Sequence, residues 1–165
     1  MTEKDSVFLD VFNQNKSKVF HLCYGYTGDT DTANDLMQET FIKVWQNMDK
    51  FRKQSQLSTW IYRIAVNTCL SYLRVEKRKA TDEINDHTLE TLAEEKSDKQ
   101  EQIAQLYKCI AQLEEHERII ITMVLDEVPY AEIAEISGIS EGNLRVKIHR
   151  IKSKLTEIYN SHERF

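Results

Sequence analysis

The chain is short of the residues that break helices. Its 165 residues include four glycines and a single proline, so tight turns are few and long helices are favoured. Cysteine is scarce too. Cys23, Cys69 and Cys109 form no CxxC pair, and each sits among apolar neighbours. That pattern argues against a disulfide framework or a metal site, and a reducing compartment is the simplest setting. No apolar run approaches the roughly 18 residues of a membrane helix. The opening MTEKDSV lacks the basic start and apolar core of a signal peptide. Also missing are a Gly-rich phosphate loop, an HExxH pair and any grouping of the five histidines. No catalytic residue, cofactor or metal is therefore expected. These absences predict a soluble, cytoplasmic, non-enzymatic protein of one ordinary domain or two small ones.

What is present is sorted charge. The net charge of −5 argues globally against a nucleic-acid partner. Locally the balance reverses. Arg145, Lys147, Arg150, Lys152 and Lys154 fall between Asn143 and Leu155 with no acid among them. Arg74, Lys77, Arg78 and Lys79 form a second basic cluster, against Glu76 alone. Between the two clusters, Thr81 to Glu101 carries eight acids against Lys96 and Lys99. Such local fields govern attraction to phosphate more than the total does.

Apolar spacing is helical nearly throughout. Val7, Phe8, Val11, Phe12, Val19, Leu22 and Cys23 mark a first helix, which Gly25 and Gly28 are expected to interrupt. Asp29 to Asp31 offers caps for a second, striped by Ala33, Leu36, Met37, Phe41, Val44, Trp45 and Met48. After a polar loop at Asp49–Leu57, Ser58 is expected to cap a third helix running to about Lys79. Ile61, Ile64, Ala65, Thr68, Cys69 and Tyr72 would face inward. From Ala80 to about Lys99, few large apolar residues and many acids predict a flexible, extended linker. Beyond it, Ile103, Leu106, Tyr107, Ile110 and Leu113 begin a second helical unit, and Glu114–Leu125 continues it. The fold class is all-α: two small helical domains, residues 1–80 and 101–165, joined by an acidic linker at 81–100.

The sharpest pattern is near the C-terminal end. Pro129 suits a helix start, Gly138 suits the left-handed residue after a helix, and Ser140 suits the next cap. Ala134 is small where two helices must cross, and Leu144, Ile148, Ile151 and Leu155 give the last helix an apolar seam. Two helices joined by a tight Gly turn read as a helix-turn-helix. Its outward positions include Glu141, Asn143, Arg145, Val146, Lys147, His149 and Arg150. Arg and Asn can read G and A bidentately in the major groove, and the other cations add salt-dependent phosphate binding. The plainer alternative is a solvated basic helix in an adaptor.

Two N-terminal segments are less self-explanatory. Asp35, Gln38 and Glu39 face outward from the second helix, and solubility alone would account for them. The segment from Phe51 to Thr68 joins a polar loop to a helix rich in aromatic and basic residues. It could accept unstacked bases, although core packing accounts equally for Trp60 and Tyr62, and Asn67 could be an ordinary surface residue.

Taken together, DLMQETFIKVW at Asp35–Trp45, STWIYRIAVNTCLSYLR at Ser58–Arg74 and VPYAEIAEISGISEGNLRVKIHRIKSKL at Val128–Leu155 resemble the extracytoplasmic-function (ECF) sigma factors of the bacterial sigma-70 family. The order fits sigma region 2, a variable linker and sigma region 4, with no region 1.1 or region 3 evident. The resemblance implies a promoter-specificity subunit of RNA polymerase. Asp35, Gln38 and Glu39 would dock on the β′ clamp helices, with Trp45 buried. Phe51, Arg52, Lys53, Gln54, Ser55, Gln56 and Leu57 match the loop that captures a flipped base of the −10 element, and Asn67 lines its pocket. Extruding a base costs a few kcal/mol that pocket contacts must offset. Arg63, Arg74, Lys77 and Arg78, with Lys79, would hold phosphates. Ser140, Asn143, Arg145, Val146, Lys147, His149 and Arg150 would meet the −35 element, and region 4 would also pack on the β flap. An anti-sigma factor, often membrane-anchored, is the implied regulator.

The match has departures. Pro129 stands where many members have Ser, and Val146 and His149 lie on the reading face, so no relative's promoter sequence transfers. Two other classes compete with the sigma reading. A stand-alone helix-turn-helix regulator would not need the Asp35–Glu39 face, and a helical adaptor would ignore DNA.

Overall fold

The computed structural model describes residues 1–80 and 97–163, and the chain's own punctuation sets most of its helix ends. α1 spans Glu3–Thr27 behind a capping box in which Thr2 and Asp5 each receive the other's backbone N–H. It ends at Gly28, whose φ of 71° is left-handed and whose N–H returns to the Tyr24 carbonyl. α2 spans Thr30–Asn47, capped by the Asp29 carboxylate on the Thr32 N–H. A short 3-10 turn follows at Met48–Lys50, and then α3 at Leu57–Ala80. α4 covers Asp98–Ile110 behind a Ser97/Gln100 capping box, and α5 covers Glu115–Leu125. α6 is Tyr130–Ser137 and α7 is Glu141–Glu163.

Most of the expected linker, residues 81–96, lies outside the described residues, as do the side chains of Lys77 and Lys79. Ser97 is a competent cap, and α4 is formed from Asp98.

Three expectations need correction. Gly25 does not interrupt α1; it is buried inside the helix, and Gly28 alone ends it. A glycine weakens a helix interior by only about 1 kcal/mol, which the packing of α1 outweighs. Ser58 is not the cap of α3: the helix begins at Leu57, with the Trp60 N–H already bonded to the Gln56 carbonyl. Val7 and Ile103, counted with the apolar stripes, are about half exposed at 47% and 46%.

The three N-terminal helices enclose Val19, Leu22, Phe41, Val44, Ile61, Ala65 and the adjacent thiols Cys23 and Cys69, all buried. Those two sulfurs lie 3.8 Å apart and both are free thiols. The hydrogen bond with neighbouring Cys69, together with burial, pushes the Cys23 pKa upward, which keeps that thiol protonated. The C-terminal helices enclose Ile110, Met123, Ile133, Leu144, Ile148 and Ile151. The two bundles do not stand apart. α1 packs against α5 and α3 against α6, and the buried apolar residues of both halves form one contiguous cluster.

Candidate nucleic-acid interface

The helix-turn-helix is built as its sequence requires. α6 follows Pro129 and stops at Gly138, whose φ is 72°. The Ser140 hydroxyl then accepts the Asn143 N–H at 3.2 Å and starts α7. Ser140 thus acts first as a helix cap. Leu144, Ile148 and Ile151 turn inward and are fully or nearly fully buried. That burial orients the rest of α7: Asn143, Arg145, Val146, His149 and Arg150 are exposed, and Lys147 is half-buried. Val146 lies nearly opposite the buried seam by helical spacing and is 52% exposed. The Arg145 guanidinium bonds Glu141 at 3.0 Å and lies 5.0 Å from the Tyr130 ring centroid. Lys154, part of the same basic run, is turned away from this face and bonds both oxygens of buried Glu117 at 2.9 and 3.0 Å.

A second face runs along α3. Arg63, Asn67, Arg74 and Arg78 recur at offsets of four, seven and four residues, which places them on one side of the helix. Asn67, Arg74 and Arg78 are exposed. Arg63 is engaged in this arrangement: its guanidinium bonds the Glu135 carboxylate at 3.2 Å and reaches the Glu135 carbonyl. In the preceding loop, Arg52, Lys53, Gln54 and Gln56 are exposed, whereas Ser55 and Leu57 are partly covered. Phe51 does not stand free as a stacking platform; it packs on Trp60 with centroids 5.2 Å apart. Lys53 takes a positive φ of 55°, a conformation that is uncommon without glycine. Tyr62 is core, 3% exposed.

The third face is on α2. Leu36, Phe41 and Val44 are buried, which leaves Asp35, Gln38 and Glu39 outward and exposed. Glu39 pairs with Lys43 at 3.2 Å, and Lys43 also donates to the Thr68 hydroxyl of α3. Ile42, not anticipated from sequence, extends this face and is 57% exposed. Its position seven residues after Asp35 was the available signal. Trp45 is only half-buried. It packs edge-on against Phe8, and the Lys4 ammonium lies 4.5 Å from its ring centroid.

Comparison with known proteins gives these faces a family. A model of sigma-70 region 2 matches residues 11–79, and a model of sigma-70 region 4 matches residues 103–155. The ECF RNA polymerase sigma-E factor of Escherichia coli K12 is 34% identical over 151 residues, covering 84% of this chain and 78% of the relative. The chain belongs to the ECF sigma factors. SigW of Bacillus subtilis 168, another ECF sigma factor, is 29% identical over 163 residues, covering 90% of this chain and 86% of SigW. The fold resembles the sigma factor RpoE of Bartonella quintana, solved with the anti-sigma factor NepR. There the TM-score is 0.76 at 22% identity, over 93% of this chain and 96% of the other. It also resembles CnrH, solved with the cytosolic domain of CnrY, with a TM-score of 0.72 at 16% identity.

In this sigma factor, α1–α3 carry region 2 and α4–α7 carry region 4. Sequence patterns located all three faces but not the residues that join the halves. His21 bonds Asp126 at 3.0 Å, Tyr24 meets the Tyr107 ring edge-on at 4.8 Å, and Arg118 lies over Tyr26. No periodicity within one helix encodes such partners. Among the described residues, no helix is long and apolar enough to cross a membrane and no cluster of metal-ligating side chains is present.

Proposed function

We propose that this ECF sigma factor recruits core RNA polymerase through its α2 face and reads two promoter elements through α3 and α7. The observation that carries the reading is the presence of three separate exposed faces on the two matched regions. Asp35, Gln38 and Glu39 form an acidic, polar ridge suited to the β′ clamp helices. The 51–57 loop, Arg63, Asn67, Arg74, Lys77 and Arg78 receive the −10 element, with a base extruded near Asn67. Asn143, Arg145, Val146, Lys147, His149 and Arg150 meet the −35 element, and Ser140 sets their helix start. The working units are region 2 at residues 1–80 and region 4 at 101–165, joined by residues 81–100. Region 4 also contacts the β flap, the protein acts in the cytoplasm, and an anti-sigma factor holds it until signalled.

The deciding experiment is reconstitution. The full chain is mixed with core polymerase and a promoter library, and run-off transcripts are sequenced. Transcripts sharing two spaced upstream elements are expected. A chain that binds library DNA alone but never core polymerase would overturn the reading in favour of a stand-alone helix-turn-helix regulator.

A further inference from the structure

We propose that Lys53 is a positioning residue of the 51–57 loop, and that its left-handed backbone, rather than its charge, shapes the loop to hold an extruded base. The inference rests on the functional reading above, because it takes this loop as the receiver of the −10 element. Lys53 has a φ of 55°, and among the described residues only Glu127 shares a positive φ without being glycine. Glu127 has an ordinary reason. It follows the last turn of α5, where its N–H returns to the Val124 carbonyl and the Val128 N–H to the Met123 carbonyl, the paired bonds of a left-handed helix stop. Lys53 ends no α-helix. It lies between the 3-10 turn at Met48–Lys50 and the start of α3 at Leu57. Its side chain is exposed, so burial of that side chain does not offset the backbone cost.

The loop is closed on Trp60 from both ends. Phe51 packs its ring on the indole with centroids 5.2 Å apart, and the Gln56 carbonyl accepts the Trp60 N–H at 3.1 Å. Residues 52–55 must therefore leave Trp60 and return to it. Left-handed backbone gives such a reversal, and glycine adopts it without a Cβ clash. The chain has no glycine from Asp29 to Ser137. Its glycines serve elsewhere: Gly28 and Gly138 end helices, and Gly25 lies where a Cβ would meet the Thr122 hydroxyl of α5. A lysine thus carries a conformation that its Cβ disfavours. Such residues persist where the surrounding structure over-determines them, and they cluster where ligands are held. Here the two anchors on Trp60 over-determine the bend, which leaves Arg52, Gln54 and Gln56 exposed around it. A loop bent before DNA arrives spares the cost of ordering it, while the base still has to be pulled from its stack.

The test uses purified holoenzyme containing the full chain, and a promoter fork recovered by the run-off selection. 2-Aminopurine is placed in turn at each unpaired −10 position, where its fluorescence rises as the base leaves the stack. Four uncharged substitutions separate backbone from charge. Lys53→Gly and Lys53→Asn tolerate left-handed backbone, Lys53→Gln does so poorly and Lys53→Val least. All four lose the ammonium and share any loss of phosphate attraction. Beyond that shared loss, Lys53→Gly and Lys53→Asn should keep the unstacking signal and the preference for the −10 base. Lys53→Val should bind the fork about fivefold or more weaker than Lys53→Asn, with its base preference flattened, and Lys53→Gln should fall between them. Equal behaviour of all four would overturn the proposal and leave Lys53 as a phosphate contact, as would Lys53→Gly and Lys53→Asn falling as low as Lys53→Val. If Lys53→Val folds poorly, the comparison of Lys53→Asn with Lys53→Gln decides alone. Hydrogen exchange of residues 51–57 in the free chain reads the bend without DNA, and protection should follow the same order. Equal protection in all four would overturn the bend and leave the −10 reading standing. The expected order of protection, with no unstacking at any position even in the parent, would sink the −10 reading and the role in base capture with it.

Discussion

Arg145 and Tyr130 link the two helices of the helix-turn-helix: the guanidinium lies 5.0 Å from the ring centroid, while Glu141 holds it at 3.0 Å. An exposed cation–π contact contributes about 0.5–1 kcal/mol, and an exposed helical ion pair contributes about 0.3–0.5 kcal/mol. Neither matters much for stability. Together they restrict Arg145 before DNA arrives, which lowers the cost of ordering it on binding. Tyr130→Ala is therefore expected to weaken −35 binding by holoenzyme a few-fold without changing the preferred base. Arg145→Ala is expected to cost about 1–3 kcal/mol and relax one position. Binding to a panel of −35 variants separates the two. A change of base preference in Tyr130→Ala would show that the ring touches DNA directly.

The α2 face offers a second test. Glu39 and Lys43 are exposed partners, so losing the pair has little effect on folding. Glu39→Lys with Asp35→Lys is expected to leave thermal unfolding nearly unchanged and reduce core polymerase affinity by tenfold or more. Ile42→Ala should reduce it by about fivefold or more, since burying an exposed isoleucine contributes about 1.5–3 kcal/mol when complete. Competition against a labelled sigma factor for core polymerase measures both. An Ile42→Ala chain that competes as well as the parent places the docking surface elsewhere on the helix.

How far the sequence reached depends on the range of each interaction. Gly138 and Ser140 were legible because a left-handed turn and a cap are set by neighbours in the chain. The buried faces of α2 and α7 were legible because helical periodicity repeats the same choice every turn. Ser58 failed by two residues as a cap, since the helix already starts at Leu57, within the usual uncertainty of a helix end. Gly25 failed for a different reason. Its breaker tendency is local, but its role is set by Thr122, 97 positions away by residue number. The partnership of Arg63 with Glu135 is likewise a tertiary fact. Arg63 was expected to hold phosphate, nothing in the sequence marked Glu135 as its partner, and only the packing of α3 on α6 pairs them.

Lys154 and Glu117 supply a prediction for alkaline pH. Glu117 is 5% exposed, and its carboxylate is satisfied by the Lys154 ammonium. That hydrogen bond raises the Lys154 pKa above its ordinary value. A lysine with a raised folded pKa contributes stability that is fully present below the unfolded value, about 10.4, and lost as pH rises through the folded one. Lys154→Met should therefore melt at a lower temperature than the parent from neutral pH to about pH 10, because it leaves a buried carboxylate unpaired. Above that pH the difference should shrink as the parent loses its ammonium. Thermal melts of both chains across this range provide the check. A gap that persists undiminished at the highest pH would mean that Lys154 acts through its methylene packing.

Val146 makes the most specific prediction about promoter sequence. It is the one large apolar side chain exposed between Asn143 and Arg150, and it points away from Leu144, Ile148 and Ile151. On the proposed −35-reading face, an isopropyl group can offer no hydrogen bond. The base feature it suits is the thymine methyl, the apolar mark in the major groove. The −35 sequences selected by holoenzyme should therefore contain a thymine at one position that Val146→Ser no longer prefers. Replacing that thymine by uracil removes the methyl and keeps every hydrogen-bonding group. For the parent this should weaken binding about threefold, close to the ~0.8 kcal/mol of one buried methylene. For Val146→Ser it should change little, and 5-methylcytosine should partly replace thymine for the parent alone. Equal affinity of the parent for thymine and uracil at every −35 position would assign Val146 to a protein contact instead, and leave Asn143, Arg145 and Arg150 as the readers of that element.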